Sequence, residues 1–186
     1  MHSARLIAAG TATRIALTPV VMWLVLYGES DAAELTAAGL VCVGAATDWV
    51  DGRLARRWKV TTKLGSFLDT TADKLLVSGV LIALLAVERV SPWLVAIIVG
   101  RELVLMGLRG VIASEGEVMA PSLLGKLKTS IQFLAITLAI LRPGDPVAGL
   151  FIDEWAMLLA AAITVASAVD YLMRALPGVV REDRLT

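Results

Sequence analysis

The chain has 186 residues, of which 58% are hydrophobic and 18% are charged, and its mean hydropathy is +0.78. Soluble domains are about 45–50% apolar and about 25% charged, so this composition argues against a water-soluble globule and against a disordered chain. Seventeen basic residues balance seventeen acidic ones, and Cys42 is the only cysteine, which excludes a strongly basic nucleic-acid binder and a disulfide-stapled secreted domain.

Six apolar stretches follow one another along the chain and predict an all-α protein with six transmembrane helices. They are centred on residues 15–27, 35–46, 75–87, 92–108, 130–141 and 155–169. Each uninterrupted run is shorter than the about 20 residues that usually cross a bilayer, so a soluble helical bundle is the alternative. We favour the membrane because so little polar sequence lies between the stretches to cover a surface in water.

Each stretch reaches the length of a span only when it is extended at one end through polar residues. That end alternates from one stretch to the next, and the residues are Arg14; Asp48 and Asp51; Asp69, Asp73 and Lys74; Arg101, Glu102 and Arg109; Lys126 and Lys128; Asp170 and Arg174. In an up-and-down bundle these ends lie on one side of the membrane. Charges at that depth predict a polar cavity that opens to this side.

The basic residues predict that the cavity faces the cytoplasm. Ten lysines and arginines fall on the cavity side, whereas the other side keeps Arg89 and Arg142 among several acidic residues. An excess of Lys and Arg marks the cytoplasmic side of a membrane protein. We therefore expect an integral protein of the plasma (inner) membrane with both termini in the cytoplasm, and a short charged tail over residues 177–186.

Two pairs of aspartates flank the second and third helices. Asp48 and Asp51 share a face at the end of one helix, Asp69 and Asp73 share a face at the start of the next, and we expect a loop containing Arg53, Arg56, Arg57, Lys59 and Lys63 between them. Four carboxylates that close together stay ionised only when a cation offsets their repulsion, and oxygen ligands favour Mg²⁺, Mn²⁺ or Ca²⁺. Helix capping and local arginine pairing are the alternative roles for single members of the set.

The spacing of this segment resembles the sequence pattern of the CDP-alcohol phosphotransferases. It reads Asp48-x-x-Asp51-Gly52-x-x-Ala55-Arg56, then eight residues, then Gly65-x-x-x-Asp69-x-x-x-Asp73. The resemblance implies one transmembrane domain over residues 1–186 that moves a phosphatidyl group from a CDP-linked lipid to an alcohol, with release of CMP. It also implies that Asp48, Asp51, Asp69 and Asp73 bind two Mg²⁺ or Mn²⁺ ions, with Asp73 as the general base as well.

The same resemblance implies a site for CDP-diacylglycerol. Gly52, Ala55 and Gly65 would leave room for the nucleotide, Arg56 would contact the diphosphate, and Thr62 would donate from its hydroxyl. The opening segment departs from the family pattern, because only Thr11 and Arg14 remain of its usual Asn-Pro-Asn and Leu-Thr-x-x-Arg elements.

Basic residues in the fourth and fifth stretches predict an anionic acceptor. Arg101, Arg109, Lys126 and Lys128 would bind its phosphate, although Arg101 could instead neutralise Glu102, and Lys126 could extend to the headgroups. Arg101-Glu102, Leu108-Arg109 and Gly125-Lys126-Leu127-Lys128-Thr129 resemble the phosphatidylglycerophosphate synthases. This resemblance implies that sn-glycerol 3-phosphate is the acceptor and that the protein is a homodimer.

Three alternatives to this reading stay open at the level of sequence. The acceptor could be inositol phosphate, phosphatidylglycerol or serine, with the same chemistry. Intramembrane carboxylates also occur in transporters, but the chain lacks internal repeats, and its charges gather at one membrane face rather than the midplane. A non-catalytic membrane scaffold is the third possibility.

Overall fold

The protein is described by a computed structural model that covers residues 2–58, 63–114 and 123–182. Six α-helices account for most of these ranges: α1 (His2–Tyr27), α2 (Asp31–Trp58), α3 (Lys63–Ala86), α4 (Pro92–Ser114), α5 (Leu123–Leu141) and α6 (Ile152–Glu182). Within the same ranges, the only extended pairing is an isolated bridge between Val147 and Leu150. The prediction of an all-α fold is confirmed. Each helix contains one of the six apolar stretches, although Val87, the last residue of the third stretch, lies just beyond α3.

Local signals explain where several helices begin. The Ser30 hydroxyl accepts a hydrogen bond from the amide of Ala33 at 3.2 Å, and the Glu154 carboxylate accepts one from the amide of Phe151 at 2.8 Å. Both contacts satisfy amides that have no partner within the helix. Pro92 begins α4, at the first helical position, where its missing N–H costs nothing.

The chain between the aspartate pairs is more helical than expected. We expected Arg53, Arg56 and Arg57 in a loop, but α2 continues through them to Trp58, and α3 already begins at Lys63. After Gly52 the sequence contains Leu, Ala and Arg and no proline, which are good helix formers that extend α2. Lys59 and Thr62 lie outside the described residues. At the other end of the chain, α6 runs into the predicted tail, to Glu182.

An apolar core joins the six helices. It contains Val21 of α1, Val41 of α2, Leu81 of α3, Ile98 of α4 and Ile136 of α5, and it is completed by Met157 of α6, all almost fully buried. The helices also carry large apolar side chains on their outer faces, such as Trp93 with 78% exposure. Many large, exposed apolar side chains are typical of helices that contact lipid or another protein.

Two of the described helices are long and apolar enough to cross a membrane, over Gly10–Tyr27 and Ile152–Ala175. A third segment, Leu127–Leu141 of α5, is apolar but shorter. These helices agree with a membrane protein, and the count of six spans stays a prediction.

Candidate active site

The two helices that carry the aspartate pairs approach each other closely at Gly44. A Cβ atom added to Gly44 of α2 would lie 2.6 Å from Cδ2 of Leu76 in α3, which is closer than real side chains come. Asp48 is one turn beyond Gly44, and Asp73 is about one turn before Leu76. Asp48 and Asp73 thus each lie about one turn along their helix from the contact between Gly44 and Leu76.

Asp73 has two oxygens with different surroundings. Its Oδ2 accepts a hydrogen bond from Nζ of Lys74 at 3.1 Å, and the side chain is 14% exposed. Its Oδ1 is buried and has no hydrogen-bond partner. A buried carboxylate oxygen without a donor is costly unless a cation or a ligand completes it, so Asp73 fits the divalent-metal site that the sequence predicts.

The other predicted metal ligands are on the same two helices. Asp48 and Asp51 lie in the second half of α2, and Asp69 lies one turn before Asp73 in α3. Their side chains lie outside the described residues, and the side chains that are described contain no group of three or more potential metal ligands. The shared site therefore stays a prediction that Asp73 and the approach at Gly44 support.

The predicted donor-binding residues belong to the same region of the fold. Gly52, Ala55 and Arg56 are in the last two turns of α2, and Gly65 is in the first turn of α3. Thr62 lies outside the described residues, as do the side chains of Ala55 and Arg56. Their role in binding the nucleotide stays a prediction.

A second group of charges, which we call the basic cluster, surrounds Glu102 of α4. It consists of Lys74, Arg101 and Lys128, from α3, α4 and α5. Lys74 Nζ lies 2.7 Å from Glu102 Oε2, Arg101 Nη1 lies 3.2 Å from Glu102 Oε1, and Lys128 donates to the same Oε1. The Glu102 side chain is only 2% exposed. One buried carboxylate thus joins three cations from three helices.

Two residues of α6 complete the surroundings of this cluster. Arg101 Nη2 donates a hydrogen bond to the hydroxyl of Ser167 at 2.6 Å, and the Arg109 guanidinium lies 5.1 Å from the ring centre of Tyr171. On α6, Tyr171 lies one turn after Ser167. On α4, Arg109 lies about two turns after Arg101. Arg109 therefore forms a second layer, between the basic cluster and the C-terminal end of α4.

The structure brings together two of the four residues predicted to bind the acceptor phosphate. Arg101 and Lys128 share Glu102, and Arg109 occupies the neighbouring layer. The side chain of Lys126 lies outside the described residues. The ion pair with Glu102 that we considered for Arg101 is present, but the carboxylate is shared with two further cations and does not neutralise them all.

Sequence reasoning did not assign a role to Lys74, Glu102 or Ser167. Lys74 links Asp73 to Glu102, since its Nζ lies near a carboxylate oxygen of each. A signal for Ser167 was available, because Thr164, Ser167 and Tyr171 share one face of an otherwise apolar helix and all three are buried. No comparable signal joins Glu102 to Lys128, which lie 26 residues apart.

A cavity of about 600 Å³ lies at the opposite end of the bundle. It is lined mainly by apolar side chains between the α3–α4 turn and the start of α6, with Arg89 and Glu154 at its edge. It is separate from Asp73 and from the basic cluster, and it contains none of the predicted site residues.

Comparison with known proteins gives one family and a consistent set of relatives. The family model described as CDP-alcohol phosphatidyltransferase matches residues 5–166. The chain is 38% identical over 177 residues to the CDP-diacylglycerol–glycerol-3-phosphate 3-phosphatidyltransferase of Bacillus subtilis, which covers 88% of this chain and 91% of the relative. It is 36% identical over 173 residues to the Escherichia coli K12 protein of the same name, with 89% and 91% covered. A Sodalis glossinidius relative with that name is 37% identical over 171 residues.

Proposed function

The chain belongs to the CDP-alcohol phosphatidyltransferase family, and from this premise we propose that it transfers the phosphatidyl group of CDP-diacylglycerol to sn-glycerol 3-phosphate. The products are phosphatidylglycerophosphate and CMP, in phospholipid biosynthesis. Relatives that cover about nine tenths of the chain carry the name of this reaction, which supports the acceptor as well as the donor.

The observation that carries the proposal is the basic cluster beside Asp73. Lys74, Arg101 and Lys128 face two carboxylates, those of Asp73 and Glu102, so the group has one positive charge in excess. Arg109 adds a further positive charge in the next layer. A buried excess of positive charge stabilises a phosphate, and arginine in particular offers a fork of donors to phosphate oxygens. A phosphorylated alcohol fits this site better than serine does.

The four motif aspartates would hold the divalent ions on which members of this family generally depend. Bound there, such ions would neutralise the pyrophosphate of the donor and the charge that develops on the departing CMP. Asp48 and Asp51 supply carboxylates from α2, and Asp69 and Asp73 supply them from α3. The buried, unpartnered Oδ1 of Asp73 supports this assignment.

Asp73 also has a role in proton transfer. The acceptor hydroxyl gives its proton to Asp73 while its oxygen forms a bond to the phosphorus that carries diacylglycerol. The bond from that phosphorus to the bridging oxygen breaks, and CMP leaves with the oxygen. Because a carboxylate is a weak base towards an alcohol, correct placement of the hydroxyl is essential. The cations that bind the acceptor phosphate provide that placement.

The donor would bind along the end of α2 and the start of α3. Gly52 and Gly65 have no Cβ and allow the nucleotide to approach the helix backbones. Ala55 is small for the same reason, Arg56 pairs with the diphosphate, and Thr62 adds a hydroxyl donor. Diacylglycerol would then extend into the bilayer beside the apolar outer faces of the helices.

We place the protein in the plasma (inner) membrane with six spans, its cavity and both termini facing the cytoplasm, and residues 177–186 as a charged tail. The excess of Lys and Arg on that side supports this orientation. We further propose that the protein is a homodimer. Three small residues of α4 support this, namely Gly100, Gly107 and Gly110. A Cβ atom added at any of them would have no other atom of the same protomer within 4 Å.

The proposal is tested by release of CMP from CDP-diacylglycerol in mixed micelles. Purified protein receives Mg²⁺ or Mn²⁺ and one acceptor in each reaction: glycerol 3-phosphate, inositol phosphate, phosphatidylglycerol or serine. We expect CMP and phosphatidylglycerophosphate with glycerol 3-phosphate, and no CMP after chelation of the metal. Turnover with another acceptor and none with glycerol 3-phosphate would overturn the assignment of the acceptor, and no turnover at all would overturn the reaction.

A further inference from the structure

We propose that Glu102 is a positioning residue that holds the acceptor-binding cations at a fixed place relative to Asp73. The inference rests on the proposed function and adds to it a residue that touches neither substrate. Glu102 acts through Arg101 and Lys128, which receive the acceptor phosphate, and through Lys74, which holds the carboxylate of Asp73.

The contacts of Glu102 involve both of its oxygens. Oε1 accepts from Lys128 and lies 3.2 Å from Arg101 Nη1, while Oε2 lies 2.7 Å from Lys74 Nζ. The partners come from three helices, and the Lys128 side chain is as well buried as Glu102 itself. The carboxylate therefore fixes the relative positions of α3, α4 and α5 at the level of the site.

Charge explains why a carboxylate is needed at this position. Lys128 is buried, and Lys74 and Arg101 are partly buried. Three cations so close together repel one another, and each is costly to bury unless an anion compensates it. A single shared anion draws all three to one point and leaves an excess of positive charge. A separate anionic partner for each cation would neutralise the charges but would not hold the three cations close together. They would then not form one binding site for a phosphate.

Lys74 extends this arrangement to the reacting groups. Its Nζ bridges Glu102 Oε2 at 2.7 Å and Asp73 Oδ2 at 3.1 Å, which leaves Asp73 Oδ1 without a protein partner. The carboxylate that takes the proton and the cations that bind the phosphate are thus tied to one side chain. A hydroxyl and a phosphate on the same small acceptor require this kind of fixed separation.

The test compares Glu102→Gln with Asp153→Asn. Asp153 is an equally buried carboxylate, but it pairs with Arg142 at the opposite end of the bundle, where Nη2 of Arg142 lies 3.3 Å from its Oδ2. Both variants remove one buried charge without a change in size. We measure kcat and KM for glycerol 3-phosphate and for CDP-diacylglycerol, the melting temperature, and the rise in melting temperature that glycerol 3-phosphate produces.

For Glu102→Gln we expect the KM for glycerol 3-phosphate to rise about tenfold or more, because each good charge-assisted contact contributes on the order of a tenfold change in binding. The KM for CDP-diacylglycerol should stay within about twofold, and the stabilisation by glycerol 3-phosphate should be lost. Asp153→Asn should lower the melting temperature and leave both KM values unchanged. An unchanged or lower acceptor KM in Glu102→Gln would overturn the inference. The carboxylate would then have no effect on binding of the phosphate, or it would compete with the phosphate for the cations.

Two further variants keep the test decisive if Glu102→Gln does not fold. Glu102→Asp retains the charge but withdraws it by one methylene, and it should raise the acceptor KM above that of the wild type. In a cycle of Glu102→Asp with Lys128→Gln, the double variant should lose less than the product of the two single losses. Multiplicative losses, or an Asp variant with the acceptor KM of the wild type, would overturn the inference.

The two proposals fail in different ways. A wild-type protein that releases no CMP with glycerol 3-phosphate contradicts the proposed function. A wild-type protein that turns over, combined with an unaltered acceptor KM in Glu102→Gln, contradicts only the role of Glu102.

Discussion

At the scale of single residues, the two oxygens of Asp73, the proposed base, have different surroundings. Lys74 occupies Oδ2, and Oδ1 is buried with no partner. Such an arrangement is unfavourable in the protein alone and becomes favourable when a metal ion or an attacking hydroxyl meets Oδ1. The lysine also keeps the carboxylate from turning, so the free oxygen faces one direction.

Replacement of Asp73 by Asn removes the charge and the base while it keeps the shape. We expect the rate of CMP release to fall by at least about 100-fold, because general base catalysis alone contributes about 10²–10⁴. The matched control is Asp170→Asn, since Asp170 lies on α6 outside the motif and pairs with Arg174, one turn away. The control should keep nearly all of the wild-type rate, and a rate near wild type in Asp73→Asn would contradict the role of Asp73.

Residue identities in the motif could be predicted from the sequence, but most of their contacts could not. The spacing of the four aspartates specifies a chemistry, and Arg101 and Lys128 could be chosen because they are charges within apolar helices. Their meeting at Glu102 depends on the rotation of α4 and α5 about their own axes, which a single sequence does not determine. Lys74 was visible as a charge, but its double contact depends on where α4 lies.

At the scale of elements, α2 and α3 are in contact at Gly44, about one turn from an aspartate of each pair. The space there is filled by the terminal methyl of Leu76, a fully buried residue of the core. A side chain at position 44 would have to displace this methyl or separate the helices. Since the carboxylates lie about one turn away, a shift of the helices changes the distance between them.

Gly44→Val should therefore reduce both stability and CMP release. Insertion of extra methyl groups into a packed contact costs about 1–3 kcal/mol of the free energy of unfolding. Gly39→Val is the matched control on the same helix, because an added Cβ at Gly39 meets nothing within 4 Å. Thermal unfolding and CMP release measure the two effects, and equal behaviour of the two variants would contradict the close approach.

The number and order of helices followed from the apolar stretches, whereas one boundary did not. Runs of apolar residues predict the middle of each helix, because apolar side chains are found where the helix surface is buried or faces lipid. The sequence predicts a loop at Arg53, Arg56 and Arg57, but in the structure these residues continue α2 to Trp58. Charged residues indicate exposure to water or to a ligand, and they do not by themselves end a helix.

At the scale of the whole molecule, the described charges form two separate groups. Asp73 and the basic cluster form one of them, near the middle of α3 and α4. In the other, which we call the far-end cluster, Arg89 pairs with Glu34 at 2.7 Å and Arg142 pairs with Asp153 at 3.3 Å. The two arginines are joined, because Arg142 donates to the backbone carbonyl of Arg89 at 3.2 Å. Acidic partners balance the arginines in the far-end cluster, so of these two groups only the one with Asp73 has an excess of positive charge.

The proposed orientation predicts which end of α4 a reagent outside intact cells can reach. In a Cys42→Ser background, Ser91→Cys introduces a thiol just before α4, and Ser114→Cys introduces one at its last residue, both at exposed positions. A membrane-impermeant thiol reagent should label the variant at position 91 in intact cells and the variant at position 114 only after lysis. The reverse pattern would contradict the orientation, and labelling of both in intact cells would contradict a span by α4.

Among the described residues, two helices are long and apolar enough to cross a membrane, over Gly10–Tyr27 and Ile152–Ala175. Other helices carry charges of the proposed site, such as Asp48 and Asp51 in α2 and Arg101 and Glu102 in α4. These charges weaken the signal of a membrane span, because ionisable groups in the bilayer are costly and rare.

The central claim is that carboxylates from α2 and α3 hold shared divalent ions. Crystals of the protein with Mn²⁺ and CDP-diacylglycerol test it through the anomalous scattering of manganese. We predict manganese peaks at coordination distances, about 2.0–2.6 Å, from carboxylate oxygens of both helices, with Asp73 Oδ1 among them. Manganese bound to one helix only, or the four aspartates too far apart to share an ion, would contradict the account.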